Sequence, residues 1–95
     1  MMRITSGKGF HMTFANGFTA SVQFGGGNYC ANRMDDIDGR GASGEKGSPD
    51  AEIAFWAGDG QMGKLPDWDD TVHGWQSTDD VLAFLNTVAN MKGAE

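Results

Sequence analysis

Apolar and polar side chains alternate twice within the first quarter of the chain. Phe10, Met12 and Phe14 are separated by His11 and Thr13, and Phe18, Ala20, Val22 and Phe24 by Thr19, Ser21 and Gln23. Period-two alternation marks a half-buried strand, and two such runs around Asn16-Gly17 mark a hairpin. By itself Asn-Gly favours a two-residue type I′ turn. That turn would pair Ala15 with Phe18 and Phe14 with Thr19, placing the two apolar stripes on opposite faces. A three-residue loop, Ala15 to Gly17, pairs Phe14 with Phe18 and keeps both stripes on one face. A one-residue slip would expose every large side chain, so burial decides the register. The expectation is a type I turn with Gly17 left-handed in a G1 bulge.

Beyond the hairpin the periodicity lapses. Residues 31–49 are rich in glycine and mixed charge, and a loop of this length in a small domain is either functional or disordered. DAEIAFWA, residues 50–57, then reads as a strand, with Ala51, Ile53, Phe55 and Ala57 on one side and Glu52 and Trp56 on the other. Gly58-Asp59-Gly60 is a turn, Gln61 to Leu65 a candidate short return strand, and Pro66 to Asp70 an acidic, turn-rich loop. Thr71 to Trp75 is a candidate edge strand. Ser77 begins a helix, with Asp80 three residues on completing a capping box and Asp79 and Asp80 at the positive end of the dipole. Val81, Leu82, Leu85, Val88 and Ala89 form the predicted apolar face. Gly93 is its predicted stop, with Lys92 in the last turn. The fold class is α+β, a small antiparallel β-sheet of about four to five strands packed by one C-terminal helix. Residues 1–95 form a single domain with a flexible or ligand-binding loop at 31–49.

Composition narrows the functional classes. In a chain of 95 residues, six Phe, three Trp and six Met are enough apolar mass for a core despite 15 glycines. A core of this size gains from oligomerisation, and a homo-oligomer, a dimer or a multiple of one, is expected. The net charge of −6 opposes duplex nucleic acid as a partner, which needs a basic face. The single cysteine, Cys30, forms no intrachain disulfide, which suits a reducing cytoplasm. We read it as a small buried hydrophobe. No apolar run reaches the ~20 residues of a membrane span, and MMRITSGKG lacks the apolar core of a secretion signal.

Candidate chemistry concentrates after the hairpin. Gly25-Gly26-Gly27 ends the strand, but no lysine and no helix follow, so it is neither a P-loop nor a dinucleotide fingerprint. It is either a flexible strand exit or a place where a ligand approaches bare backbone. Asn28, Tyr29, Asn32 and Arg33 follow, planar or bidentate hydrogen-bonding groups beside an aromatic ring. Such a set can stack a base and clamp a phosphate, with Arg40 further along. The structural alternative is that Tyr29 caps the core and Arg33 pairs with Asp35 or Asp36. Residues 34–45 place Asp36, Asp38, Gly39 and Glu45 at EF-hand positions, but Met34 stands at the first ligand position and no helices flank the loop. His11, Cys30 and His73 lack the paired spacing of a zinc site, and a Cys-His pair with Asp69 or Asp70 is a chance-level combination. No catalytic residue, no metal and no cofactor is expected. Trp56, Trp68 and Trp75 exceed what a small core needs, so at least one belongs at an interface or against a planar ligand. The candidate ligand-binding residues are Gly25, Gly26, Gly27, Asn28, Tyr29, Asn32, Arg33, Arg40, Trp56 and Trp75.

GFHMTFANGFTASVQFGGGNYCANR (9–33), SPDAEIAFW (48–56) and DDTVHGWQSTDDVLAFLN (69–86) resemble three blocks of a family of small uncharacterised phage proteins; residues 34–47 lie outside the resemblance. The resemblance implies a phage origin and action in the cytoplasm of an infected bacterium. Small acidic phage proteins of this kind often counter bacterial defence. Some inhibit CRISPR effectors as nucleic-acid mimics, and others, the anti-Thoeris and anti-CBASS sponges, sequester cyclic nucleotide signals without cleaving them. The expectation drawn from it is a non-enzymatic anti-defence protein that sequesters a cyclic nucleotide or ADP-ribose-type signal. The alternative is an acidic DNA mimic that inhibits a CRISPR or other nuclease effector. No residue of a characterised sponge maps onto this chain, so the ligand-binding candidates rest on its own chemistry.

Overall fold

The computed structural model describes residues 1–5, 8–24, 28–31 and 48–92. Five strands and one helix follow in order: β1 (Met2–Ile4), β2 (Gly9–Thr13), β3 (Thr19–Gln23), β4 (Asp50–Trp56), β5 (His73–Ser77) and α1 (Thr78–Ala89). Each strand pairs antiparallel with its sequence neighbour, giving one sheet in the order β1-β2-β3-β4-β5. The α+β class is the one the patterning implies.

The hairpin takes the register that burial demands. Thr13 faces Thr19, the Phe14 N–H donates to the Phe18 carbonyl at 2.9 Å, and the Gly17 N–H donates to the Phe14 carbonyl at 3.0 Å. Gly17 is left-handed, with φ of 92°. Ala20, Val22, Ile53 and Phe55 therefore share the face on which α1 lies, and all are buried. The rings of Phe55, Trp68 and Phe84 close the core, with centroids 5.7 to 6.1 Å apart.

Three expectations need correction. The fifth strand is β1 at the N-terminus; Gln61 to Leu65 contributes an isolated bridge, Trp56 to Met62. The buried helix face is Val81, Phe84, Leu85 and Val88, while Leu82 and Ala89 are exposed. α1 packs on β3, β4 and β5 but does not reach β1 or β2, so its buried stripe is too narrow to include Leu82. The helix also ends early, with Asn90 as its C-cap and no basic residue in its last turn; Gly93 lies outside the described residues.

What receives the helix terminus is the hairpin loop. The Asn16 carboxamide nitrogen donates to the carbonyls of Val88 (2.8 Å), Ala89 (3.3 Å) and Met91 (3.1 Å), while its oxygen accepts from the Phe18 N–H at 3.1 Å. Orphan carbonyls at a helix end need such partners. Replacing Asn16 with alanine is expected to lower the unfolding free energy by about 0.5–1.5 kcal/mol, the usual net worth of a hydrogen bond, because these bonds are only part-buried. Urea denaturation followed by circular dichroism measures it. The N-terminal end is capped as the sequence implies: Ser77 Oγ accepts from the Asp80 N–H, and Asp80 Oδ2 accepts from the Ser77 N–H, both at 3.1 Å.

Candidate functional site

Strand alternation places Glu52, Ala54 and Trp56 on the sheet face away from α1, together with Thr13, Thr19, Ser21 and Gln23. Two aromatic clusters stand on this face. The first joins His11 of β2 and Trp56 of β4, rings edge to face at 4.9 Å. They meet across β3, and Thr19 and Ser21 beneath them are buried. Small residues on β3 leave the space in which two large rings converge. Partial burial, and secondarily the Arg3 charge on the neighbouring strand, push the His11 pKa below its ordinary 6.5. Both effects favour the neutral imidazole.

The second cluster is the more unusual. Across β4 from Glu52 the register of β5 shifts: Ala51 faces Gln76, but Ile53 faces His73. Gly74 and Trp75 together oppose one residue, which is a β-bulge. Trp75 occupies it with φ of 53°, a left-handed conformation that bulky residues seldom adopt. Its ring stacks on Tyr29, centroids 5.6 Å apart and planes 23° from parallel. Both rings are exposed, Tyr29 at 52% and Trp75 at 54%.

The backbone around the pair is held at several points. The Trp75 N–H donates to the Tyr29 carbonyl at 2.8 Å. The Tyr29 N–H donates to Glu52 Oε2 at 2.8 Å, and the Ala31 N–H to Asp50 Oδ1 at 2.6 Å. The Gln76 carboxamide donates to the Gly74 carbonyl at 3.0 Å. Gly74 has no side chain because Tyr29 occupies the space: a Cβ there would lie 2.5 Å from Tyr29 Cβ and 2.8 Å from its carbonyl oxygen. Cys30, next to Tyr29, is buried, as expected of a small hydrophobe.

Of the candidate residues, the fold thus brings Tyr29 and Trp75 together. Asn28 adjoins them, but its carboxamide N–H is engaged by the Phe24 carbonyl at 3.2 Å, tying residue 28 to the end of β3. Trp56 shares their sheet face but stands four residues along β4 from Glu52, about 13 Å at strand spacing. Gly25, Gly26, Gly27, Asn32, Arg33 and Arg40 lie outside the described residues, as does the EF-hand-like segment 34–45. Trp68, in the acidic loop, belongs to the core at 4% exposure. His11 and His73 lie on opposite faces of the sheet, since His11 aligns with Ser21 and Ala54 while His73 aligns with Ile53. They cannot share one metal ion, and no group of metal-binding side chains occurs among the described residues.

Sequence reasoning missed Glu52 and Gly74, the residues that build the platform. Two cavities open on the helix side instead. One, of about 160 Å³, lies between Val22, Phe24, Ala51 and Val81. The other, of about 200 Å³, lies beside the stacked Trp68 and His73 rings and is lined in part by Asp67 and Asp80. No helix among the described residues is long and apolar enough to cross a membrane. No known protein family matches the sequence, and neither the curated proteins nor the solved structures contain a match.

Proposed function

We propose that this protein binds a nucleotide-type small molecule by stacking its base on the Tyr29–Trp75 pair. In the phage setting implied by the sequence resemblance, it sequesters a cyclic nucleotide or ADP-ribose-type immune signal without cleaving it. The observation that carries this reading is the conformation of Trp75. A large apolar ring is held out of the core, more than half exposed, on a strained backbone. Strain of about 1–3 kcal/mol persists where the surroundings enforce it, and it clusters at binding sites. The bulge, the Glu52 carboxylate and the bare Gly74 enforce it here. An exposed aromatic surface stacks any base, because every base has a π-face. Arg33 and Arg40 supply the phosphate-binding part of the proposal.

Isothermal titration with cyclic dinucleotides and cyclic ADP-ribose-type molecules tests it, with Trp75→Gly as the diagnostic variant. Glycine accepts φ of 53° freely, so lost stacking and relieved strain offset each other. Stability is expected to stay within about 1 kcal/mol of wild type, the size of a single aromatic pair. Affinity is expected to fall by about 1–3 kcal/mol, the worth of one stacked base. Unchanged affinity in a folded Trp75→Gly protein would remove the platform from the mechanism.

A second reading has one observation in its favour. Asp67 and Asp80, distant in sequence, converge on one groove, which suits an acidic surface that occupies a nuclease effector in place of DNA. If no member of the panel binds the wild type, this reading replaces the first.

A further inference from the structure

The two edges of the sheet differ. β5 is bulged at Gly74-Trp75, and the Trp75 N–H is taken by Tyr29 of the 28–31 segment. Both features obstruct pairing with another strand. β1 carries no bulge, proline or covering segment among the described residues. Its inner side is fully engaged: Met1 exchanges hydrogen bonds with Thr13, and the Thr5 N–H donates to Gly9. Arg3, midway between, faces His11. Antiparallel ladders alternate between bonded and non-bonded pairs, so the N–H and C=O groups of Met2 and Ile4 point outward from the sheet edge.

Two of the three side chains on this edge, Met2 and Ile4, are apolar and exposed. Met2 and Ile4 align with Met12 and Phe10, on the sheet face that also carries α1. α1 stops at β3, and no described residue overlies them: Met2 is 75% and Ile4 83% exposed.

We infer that β1 is the interface with a second copy of this chain. Two β1 strands joined antiparallel about a two-fold axis perpendicular to the sheet form one continuous ten-stranded sheet, with both helices on the same side. The outward groups choose the register. With Arg3 on the axis, Met2 exchanges its N–H and C=O with the partner's Ile4, and Ile4 with the partner's Met2. Their side chains then pack as cross-strand apolar pairs. Met2 and Ile4, 75% and 83% exposed, are the apolar surface that this pairing removes from water. An edge of three residues buries less than the ~1,200 Å² at the low end of specific interfaces, so this dimer is weak and forms toward the upper end of the concentration range. On the opposite face the two Arg3 side chains meet as like charges, so this dimer tightens as salt rises and repulsion is screened.

Sedimentation velocity of the whole chain, from micromolar to millimolar, is the test. The wild type is expected to pass from monomer to dimer, with a smaller dissociation constant at 0.5 M than at 0.05 M salt. Amide exchange is expected to slow with concentration at Met2 and Ile4 and to stay constant at Arg3, whose N–H is already bonded within the monomer. Ile4→Pro removes an outward N–H and no inward one, a placement edge strands tolerate. It is expected to weaken the dimer at least tenfold while the circular dichroism spectrum is retained. Met2→Lys, on an exposed side chain, provides the same loss if the proline disturbs β1. A wild type that remains monomeric at millimolar concentration overturns the inference. So does a dimer whose Met2 and Ile4 amides exchange as fast as in the monomer. Nucleotide binding is read separately, so failure here leaves the Tyr29–Trp75 platform standing.

Discussion

Trp68→Ala will cost the fold about 3–5 kcal/mol, the range for removing a large aromatic from a core. A small domain has about 5–15 kcal/mol in total, so much of the variant will be unfolded at 37 °C. Trp68 is 4% exposed, stacked on His73 with planes 9° apart and centroids at 5.0 Å. Its other neighbours are Phe55 and Phe84, at 5.7 and 5.8 Å. It joins the 65–68 turn to α1 and β4, and surrounding side chains cannot collapse into the space of an indole. Trp68→Phe keeps the aromatic contact with Phe55 and Phe84 and should cost less than half as much. Guanidinium denaturation reads both. A loss below 1 kcal/mol for the alanine variant would show that the acidic loop does not pack as described.

Gly74→Ala will separate Tyr29 from Trp75. The added methyl meets the Cβ and carbonyl oxygen of Tyr29 at 2.5 and 2.8 Å. That same oxygen accepts the Trp75 N–H, so relieving the clash breaks the bond that seats the bulge. Overpacking of this kind costs about 1–3 kcal/mol, and nucleotide affinity is expected to fall by no more than the ~1–3 kcal/mol of one stacked base. Gly58→Ala is the matched control, because its Cβ would meet only the Gly17 carbonyl oxygen at an ordinary 3.7 Å. Tryptophan fluorescence and calorimetry on the two variants should diverge. Equal behaviour would show that the close approach of Tyr29 to Gly74 has no role in holding the platform.

The parts of this fold that were legible in the sequence are those set by local chemistry or by burial with a clear period. The hairpin register followed from keeping Phe14 and Phe18 on one face, and the helix start from Ser77 and Asp80. β1 was not legible, because three residues are too few to show a period and Met2 and Ile4 bury almost nothing. Leu82 was misplaced because the width of a buried helical stripe depends on how many strands the helix covers, which is a tertiary property. Trp68 sits among aspartates and reads as loop, yet its ring points inward. At the candidate site, Trp75 was recognisable as one of three surplus tryptophans and Tyr29 as an aromatic ring among hydrogen-bonding groups. Their meeting was not, since it depends on a bulge opposite Glu52 that breaks the period-two pattern. Gly74 gave no signal, because a glycine excluded by a distant tyrosine looks like any other.

The contact between Asn16 and the end of α1 also bears on how long a folded molecule lasts. It joins positions 72 to 75 residues apart, whereas the hairpin around it closes a loop of a few residues. Contacts that close long stretches of chain form late, since the entropy of closure precedes any gain from the contact. This clasp is therefore expected to form after the chain crosses its folding barrier. Interactions of that kind slow escape from the native state and leave the rate of reaching it almost untouched. Asn16 is in that sense a latch on the finished molecule: the alanine variant is expected to refold at the usual speed and to unfold faster, which stopped-flow measurements in urea would read.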